Sequence, residues 1–143
     1  MIHLDANIIL RALSKANEPA VKRMNHAAAN LFRLAEQGVV EVTSSDAVIA
    51  EVAFILTAKA HYQLAVSEAA GRLTGLLQLR GVKLRNKGVV IRALEIWENN
   101  PKPGFVDALT ASYAMQPGVE LATFDSDFDQ FSGIVRWQPP LQS

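Results

Sequence analysis

The sequence contains no cysteine. Disulfides, thiolate zinc sites and cysteine nucleophiles are therefore excluded. It also lacks net charge: lysines and arginines number 14, and so do the acids. Neutrality disfavours non-specific binding to nucleic acid through whole-molecule charge, and leaves open only a local basic strip. No apolar run is long enough to span a bilayer. The start, MIHLDANIILRAL, has no basic segment followed by a long apolar run, so a first strand is expected there and not a signal peptide. A cytoplasmic protein is the expectation. No glycine loop of the dinucleotide or Walker type occurs. The three histidines, His3, His26 and His61, have no mutual metal-ligand spacing and read as structural or exposed.

What is present suits a single folded domain. Half of the 143 residues are apolar, which excludes a disordered chain and favours one core across residues 1–143, with a tail from about 139. IHL at residues 2–4 predicts a short strand ending at Asp5, and ANIILRAL the first turns of a helix. Glu18-Pro19 starts a second helix, since proline suits the first helical position. Val21, Met24, Ala28, Leu31 and Ala35 recur along it at helical spacing, and Gly38 is a natural stop.

VVEVTS, residues 39–44, is β-branched and predicts a second strand. Helices follow over about 46–60, 66–79, 87–99 and 105–115, with a short VKL strand before Asn86, a candidate cap. VELATF and IVRW predict the last strands, around a DSDFDQF loop holding at most a turn of helix. Alternating strands and helices imply an α/β fold, a mostly parallel central sheet flanked by helices in three layers. Trp97 and Trp137 read as core or dimer-interface residues and not as base-stacking platforms.

Acids sit where this core begins. Asp5 follows a strand and precedes a helix; it reads either as an N-cap or as a site residue, because sites in open α/β sheets form outside the strands' carboxyl ends. Glu51 has Ala47, Val48, Phe54 and Ile55 as its helical neighbours, so it is expected to project from a face packed against protein. Buried and unpaired it would cost several kcal/mol, which leaves a salt bridge or a functional role. Asp107 opens a helix, where negative charge also complements the macrodipole. Asp125 follows the LATF strand; Asp127 and Asp129 suit a turn. Converging carboxylates raise one another's pKa unless a cation neutralises them, and hard oxygen ligands suit Mg²⁺ or Mn²⁺.

The order Asp5-x-Asn7, Glu51 in an apolar helix, FVDAL and T-x-D-x-D-F resembles the PIN-domain ribonucleases, most closely the VapC-type toxins of toxin–antitoxin pairs. The resemblance runs from Asp5 to Asp127. One departure is Ala6, where the family often has a hydroxyl-bearing residue. The resemblance implies a metal-dependent endoribonuclease in which Asp5, Glu51, Asp107 and Asp125 hold one or two Mg²⁺ or Mn²⁺ ions and act as the catalytic set. Asp127 would help them, Asn7 would hydrogen-bond an acid or a water, and Thr123 would orient a neighbouring carboxylate. It also implies a cognate antitoxin docking near Val48–Ala60 and Leu64–Leu79, and a homodimer.

The acids alone would repel a phosphate, so substrate grip is expected elsewhere. Arg72, Arg80, Lys83, Arg85, Lys87 and Arg92 form a stretch with no acid between them. Of these, Arg80, Lys83, Arg85 and Lys87 are the candidate RNA contacts, against a solvated surface as the alternative. Arg11, Lys15, Lys22 and Arg23 form a second basic group. Two other functions compete: a nuclease acting on structured DNA with the same acids, and a metal-binding interaction module of the same fold without turnover. A receiver-like phosphoacceptor would need a lysine after a late strand, where this chain has acids.

Overall fold

A computed structural model describes residues 1–142; Ser143, the last residue of the expected tail, lies outside them. The order is β1 (Ile2–His3), α1 (Ala6–Leu13), α2 (Pro19–Glu36), β2 (Val42–Thr43), α3 (Asp46–Thr57), α4 (Val66–Leu77), α5 (Lys87–Asn99), α6 (Phe105–Ala114), β3 (Glu120–Ala122), a 3-10 turn (Ser126–Gln130) and β4 (Val135–Trp137). The fold is α/β, with six α-helices and short strands paired only in parallel among the described residues.

The helix starts follow local chemistry. Asp5 caps α1 by accepting from the Ile8 amide at 3.2 Å, and Ser45 caps α3 through Val48 at 3.3 Å. Pro19 opens α2, and Gly38 with φ +75° follows its end. Asn86 does not cap α5; its amide instead donates to the Tyr113 hydroxyl at 3.0 Å. The buried stripe of α2 is Asn25, Ala28, Phe32 and Ala35, so the helix is rotated from the expected face and Met24 is exposed.

The expected single sheet is two separate pairs. β1 lies beside β2, with Ile2 opposite Val42 and His3 opposite Thr43. Val42 also bridges Val82, the remnant of the expected VKL strand. Gly81 makes that approach possible: a Cβ there would sit 2.4 Å from the Ala35 carbonyl oxygen and 2.6 Å from that of Val40. β3 pairs with β4, not with β1. Phe128 and Phe131 pack with Ala111, Met115 and Leu121 in a small apolar cluster, which holds this second pair against the helices. One consequence is apolar exposure, with Ile2 at 43% and Phe124 at 63%.

The main core lies between the helices and the β1–β2 pair. Ile9, Ile49, Leu56, Leu73, Leu77 and Leu94 are fully buried there, each stabilising the fold by roughly 1.5–3 kcal/mol. Trp97 belongs to it and meets Phe105 edge-on at 5.6 Å, whereas Trp137 is exposed. No helix among the described residues is long and apolar enough to cross a membrane.

Candidate active site

The carboxyl ends of β1 and β2 form one edge, from which α1 and α3 both depart. The Ser44 hydroxyl ties the two strand ends together by donating to the Leu4 carbonyl at 2.9 Å. Asp5 stands at this edge, exposed, with one carboxylate oxygen engaged in its cap. Glu51 lies on the second turn of α3, and Asp107 on the first turn of α6. Helix α3 packs against both α1 and α6, so three of the four acids ride on elements that α3 joins.

Glu51 corrects the sequence reading. It is exposed, as are Ala47 and Phe54 on the same face, the latter at 68%. Val48 and Ile55 on its other side are half-buried against the core, so Glu51 lies at the edge of an open surface of α3 and not in a buried contact. No ion pair among the described residues involves Asp5, Glu51, Asp107, Asp125 or Asp127. The salt bridge that would explain Glu51 structurally is therefore not formed.

Asp107 is half-buried, in a helix whose N-cap is Gly104 at φ +90° with no capping side chain. Its negative charge complements the uncapped amides. Asp125 caps the 3-10 turn by accepting from the Asp127 amide at 2.9 Å. Thr123 acts on the Asp125 backbone, its Oγ1 accepting from that amide at 2.9 Å, and not on a carboxylate. Asp129 pairs with Arg136 at 3.0 Å, a structural role. Asp127 is exposed, and Asn7, also exposed, shows no side-chain hydrogen bond to an acid.

A polar link between α3 and α6 has no counterpart among the sequence expectations. Tyr113 donates to Asp46 while accepting from Asn86. The Asp46 hydrogen bond, then burial, raises the Tyr113 pKa above its usual 10.0. Ser45 takes the capping role and so frees Asp46 for this contact. Tyr113 stands 27 positions from Asn86 and 67 from Asp46, too far for any pattern along the chain. Only the packing of α6 joins them.

The basic stretch divides. Arg72 is held by Glu68 at 2.5 Å and by the Leu13 carbonyl at 2.7 Å. Arg80 lies over Gly38. Lys83 and Arg85 are exposed, and Arg85, Lys87 and Arg92 line a cavity of about 380 Å³. Burial, and then the neighbouring Lys83, depress the Lys87 pKa. Like charges sharing a concave surface favour an anion between them.

A family model described as PIN domain matches residues 2–134, a span that holds all four acids. The chain belongs to the PIN-domain family. No curated protein matches it. PIN domains have a three-layer α/β/α fold and are typically metal-dependent nucleases. This PIN domain's donor set suits a hard dication by its chemistry: carboxylate oxygens, with no thiolate in the chain. The positions are looser than the chemistry. Among the described residues no three Asp, Glu or His side chains lie close enough to share an ion, and Asp125 follows a strand of the other pair.

Proposed function

We propose that this PIN domain is a Mg²⁺- or Mn²⁺-dependent endoribonuclease and the VapC-type toxin of a toxin–antitoxin pair. The observation that carries the reading is a set of carboxylates, Asp5, Glu51 and Asp107, on elements joined through α3 and unpaired with any cation of the chain among the described residues. Asp5, Glu51, Asp107 and Asp125 would hold one or two ions, with Asp127 nearby in sequence. When bound, a dication supplies Lewis-acid polarisation of the phosphodiester and acidifies water. The chain's own part is to position the acids: the α1 cap holds Asp5, the 3-10 cap holds Asp125, and Tyr113 and Asp46 fix α6 against α3. Asn7 remains available to bond a water or an acid, and Thr123 stiffens the turn that carries Asp125.

Arg80, Lys83, Arg85 and Lys87 would bind RNA phosphates outside the acidic edge. The exposed Phe54 lies in the region where an antitoxin is expected to dock, and supports a protein partner. A homodimer in the cytoplasm completes this reading. A second reading, a metal-binding module without turnover, is favoured by the absence of a close acid triad among the described residues.

The test is cleavage of RNA by the purified chain in Mg²⁺ or Mn²⁺, with EDTA and with Asp5→Asn and Asp107→Asn. The toxin reading expects cleavage lost in EDTA and in both variants while the fold persists, and growth arrest on expression only with the acids intact. Metal binding without cleavage would select the module, and cleavage restricted to structured DNA would select the DNA nuclease. Full activity in EDTA would overturn the proposal.

A further inference from the structure

Helix α3 leaves the strand edge with Glu51 on its second turn and Phe54 almost one turn further on. Both are exposed, and Phe54, at 68%, is the most exposed aromatic side chain among the described residues. Residues three apart on a helix are neighbours, with Cβ atoms about 5–6 Å apart. Helical side chains also lean toward the N-terminus, so Phe54 leaves α3 in the direction of the turn that carries Glu51. Ala47, exposed on the same face, is small and leaves the approach to the acid open. Helix α1 repeats the arrangement from the same edge, with Ile8 at 36% exposure three positions after Asp5.

A ring this exposed forgoes most of the stabilisation that burial gives, so packing within the chain does not account for it. What it offers is a flat apolar surface within a turn of a carboxylate of the proposed site. A nucleotide matches that pair once a dication neutralises the acid: its phosphate lies beside Glu51 and its base over the ring, with one ribose between them. A base inside a duplex is already paired and stacked on its neighbours, whereas an unpaired base is free to turn onto an aromatic side chain.

We propose that Phe54 is a base-stacking residue of this site, and that its substrate is single-stranded RNA with an unpaired base next to the phosphate at Glu51. Stacking does not select ribose, so the choice of RNA over DNA rests on the ribonuclease reading. Burial by a protein partner is the competing use of the ring. As its only use, it leaves the action of the free chain on RNA independent of Phe54.

The experiment is a double-mutant cycle between protein and strand. The unaltered chain, Phe54→Ala and Phe54→Trp act in Mg²⁺ on a short single-stranded RNA, and on the same strand with an abasic residue placed at each position in turn. Phe54→Ala should fold, because position 54 is exposed and alanine suits a helix. It should lower kcat/KM on the intact strand about tenfold, the effect of one lost base–aromatic stack. One abasic position should cost the unaltered chain about as much, and the two changes together no more than either alone. Phe54→Trp should restore the rate, which a merely structural role would not predict. Duplex RNA of the same sequence should be cut at least about tenfold more slowly than the single strand, and Phe54→Ala should narrow that gap.

Equal rates for Phe54→Ala and the unaltered chain, no recovery with Phe54→Trp, additive losses at every abasic position, or duplex cut as fast as single strand would overturn the inference. The same strands are also titrated in Mg²⁺ with Asp107→Asn protein, with and without Phe54→Ala, by fluorescence anisotropy. Cleavage with additive losses removes the stacking role alone. Coupled losses in binding, with no cleavage by the chain that keeps Asp107, remove the ribonuclease reading and keep the stacked base.

Discussion

Asn25→Leu should stabilise the protein, although it removes a hydrogen bond. Asn25 is buried and Oδ1 has no partner, so the folded state carries a desolvation cost of about 1–3 kcal/mol. Leucine has a similar shape and no polar atom, and relieves that cost. The bond from Nδ2 to the Ser14 carbonyl is removed, at about 1 kcal/mol. Ser14 is only half-buried, so its carbonyl can turn to water and avoid the full penalty. The net effect is a gain of about 0–2 kcal/mol, or a rise in Tm of roughly 2–4 °C for each kcal/mol in a chain of this size. Urea denaturation followed by circular dichroism measures it, with an unchanged m-value as the check on two-state unfolding. A loss of more than about 1 kcal/mol would refute the reasoning, because it would mean that Oδ1 is hydrogen-bonded in solution.

Other perturbations test separate parts of the structure. Tyr113 has a raised pKa because it donates to Asp46; its neutral form is favoured in the fold. That contribution is complete below the ordinary value of 10.0 and is lost as pH rises through the higher folded value. Tyr113→Phe should therefore lower the urea midpoint at pH 7 and flatten its decline above about pH 10, and an unchanged decline would contradict the link. Gly81→Ala places a Cβ 2.4 Å from a backbone oxygen and should cost at least about 1–3 kcal/mol by overpacking; a neutral result in chemical denaturation would refute the close approach. Lys83→Glu with Lys87→Glu should weaken RNA binding and reduce the salt slope by about 0.7 for each phosphate no longer neutralised. No change in anisotropy titrations across salt would return that strip to ordinary solvated surface.

The helices were legible because their signals are local. Pro19 and Gly38 each act within a turn of the residue concerned, and the ends of α2 in the structure fall close to them. Parallel pairing was also legible, from the alternation of strands and helices. The joining of strands was not, because no residue in VELATF states which neighbour it will take; Phe128 and Phe131 decide that by packing on Ala111. Glu51 shows the limit of helical periodicity. Apolar neighbours at i±3 and i±4 fix a face, but not what covers it, and here Phe54 beside it is open to solvent. The acids could be read from the chain, and so could Asp5 as a cap; Asp125 was read only by its place after the LATF strand, and its cap on the 3-10 turn is seen in the structure. The link from Tyr113 to Asp46 and the orphan oxygen of Asn25 arise from contacts across 67 and 11 positions, and no spacing rule reaches them.

Carboxylates from separate elements must gather around a hard dication if the nuclease reading is right. Calorimetric titration of the chain with Mn²⁺ tests this without reference to any substrate, using Asp5→Asn, Glu51→Gln, Asp107→Asn and Asp125→Asn in turn. The expected result is one or two ions per chain and an affinity about tenfold or more weaker in each variant. Undiminished Mn²⁺ binding by the Glu51→Gln and Asp125→Asn proteins, or none by the unaltered chain, would contradict it.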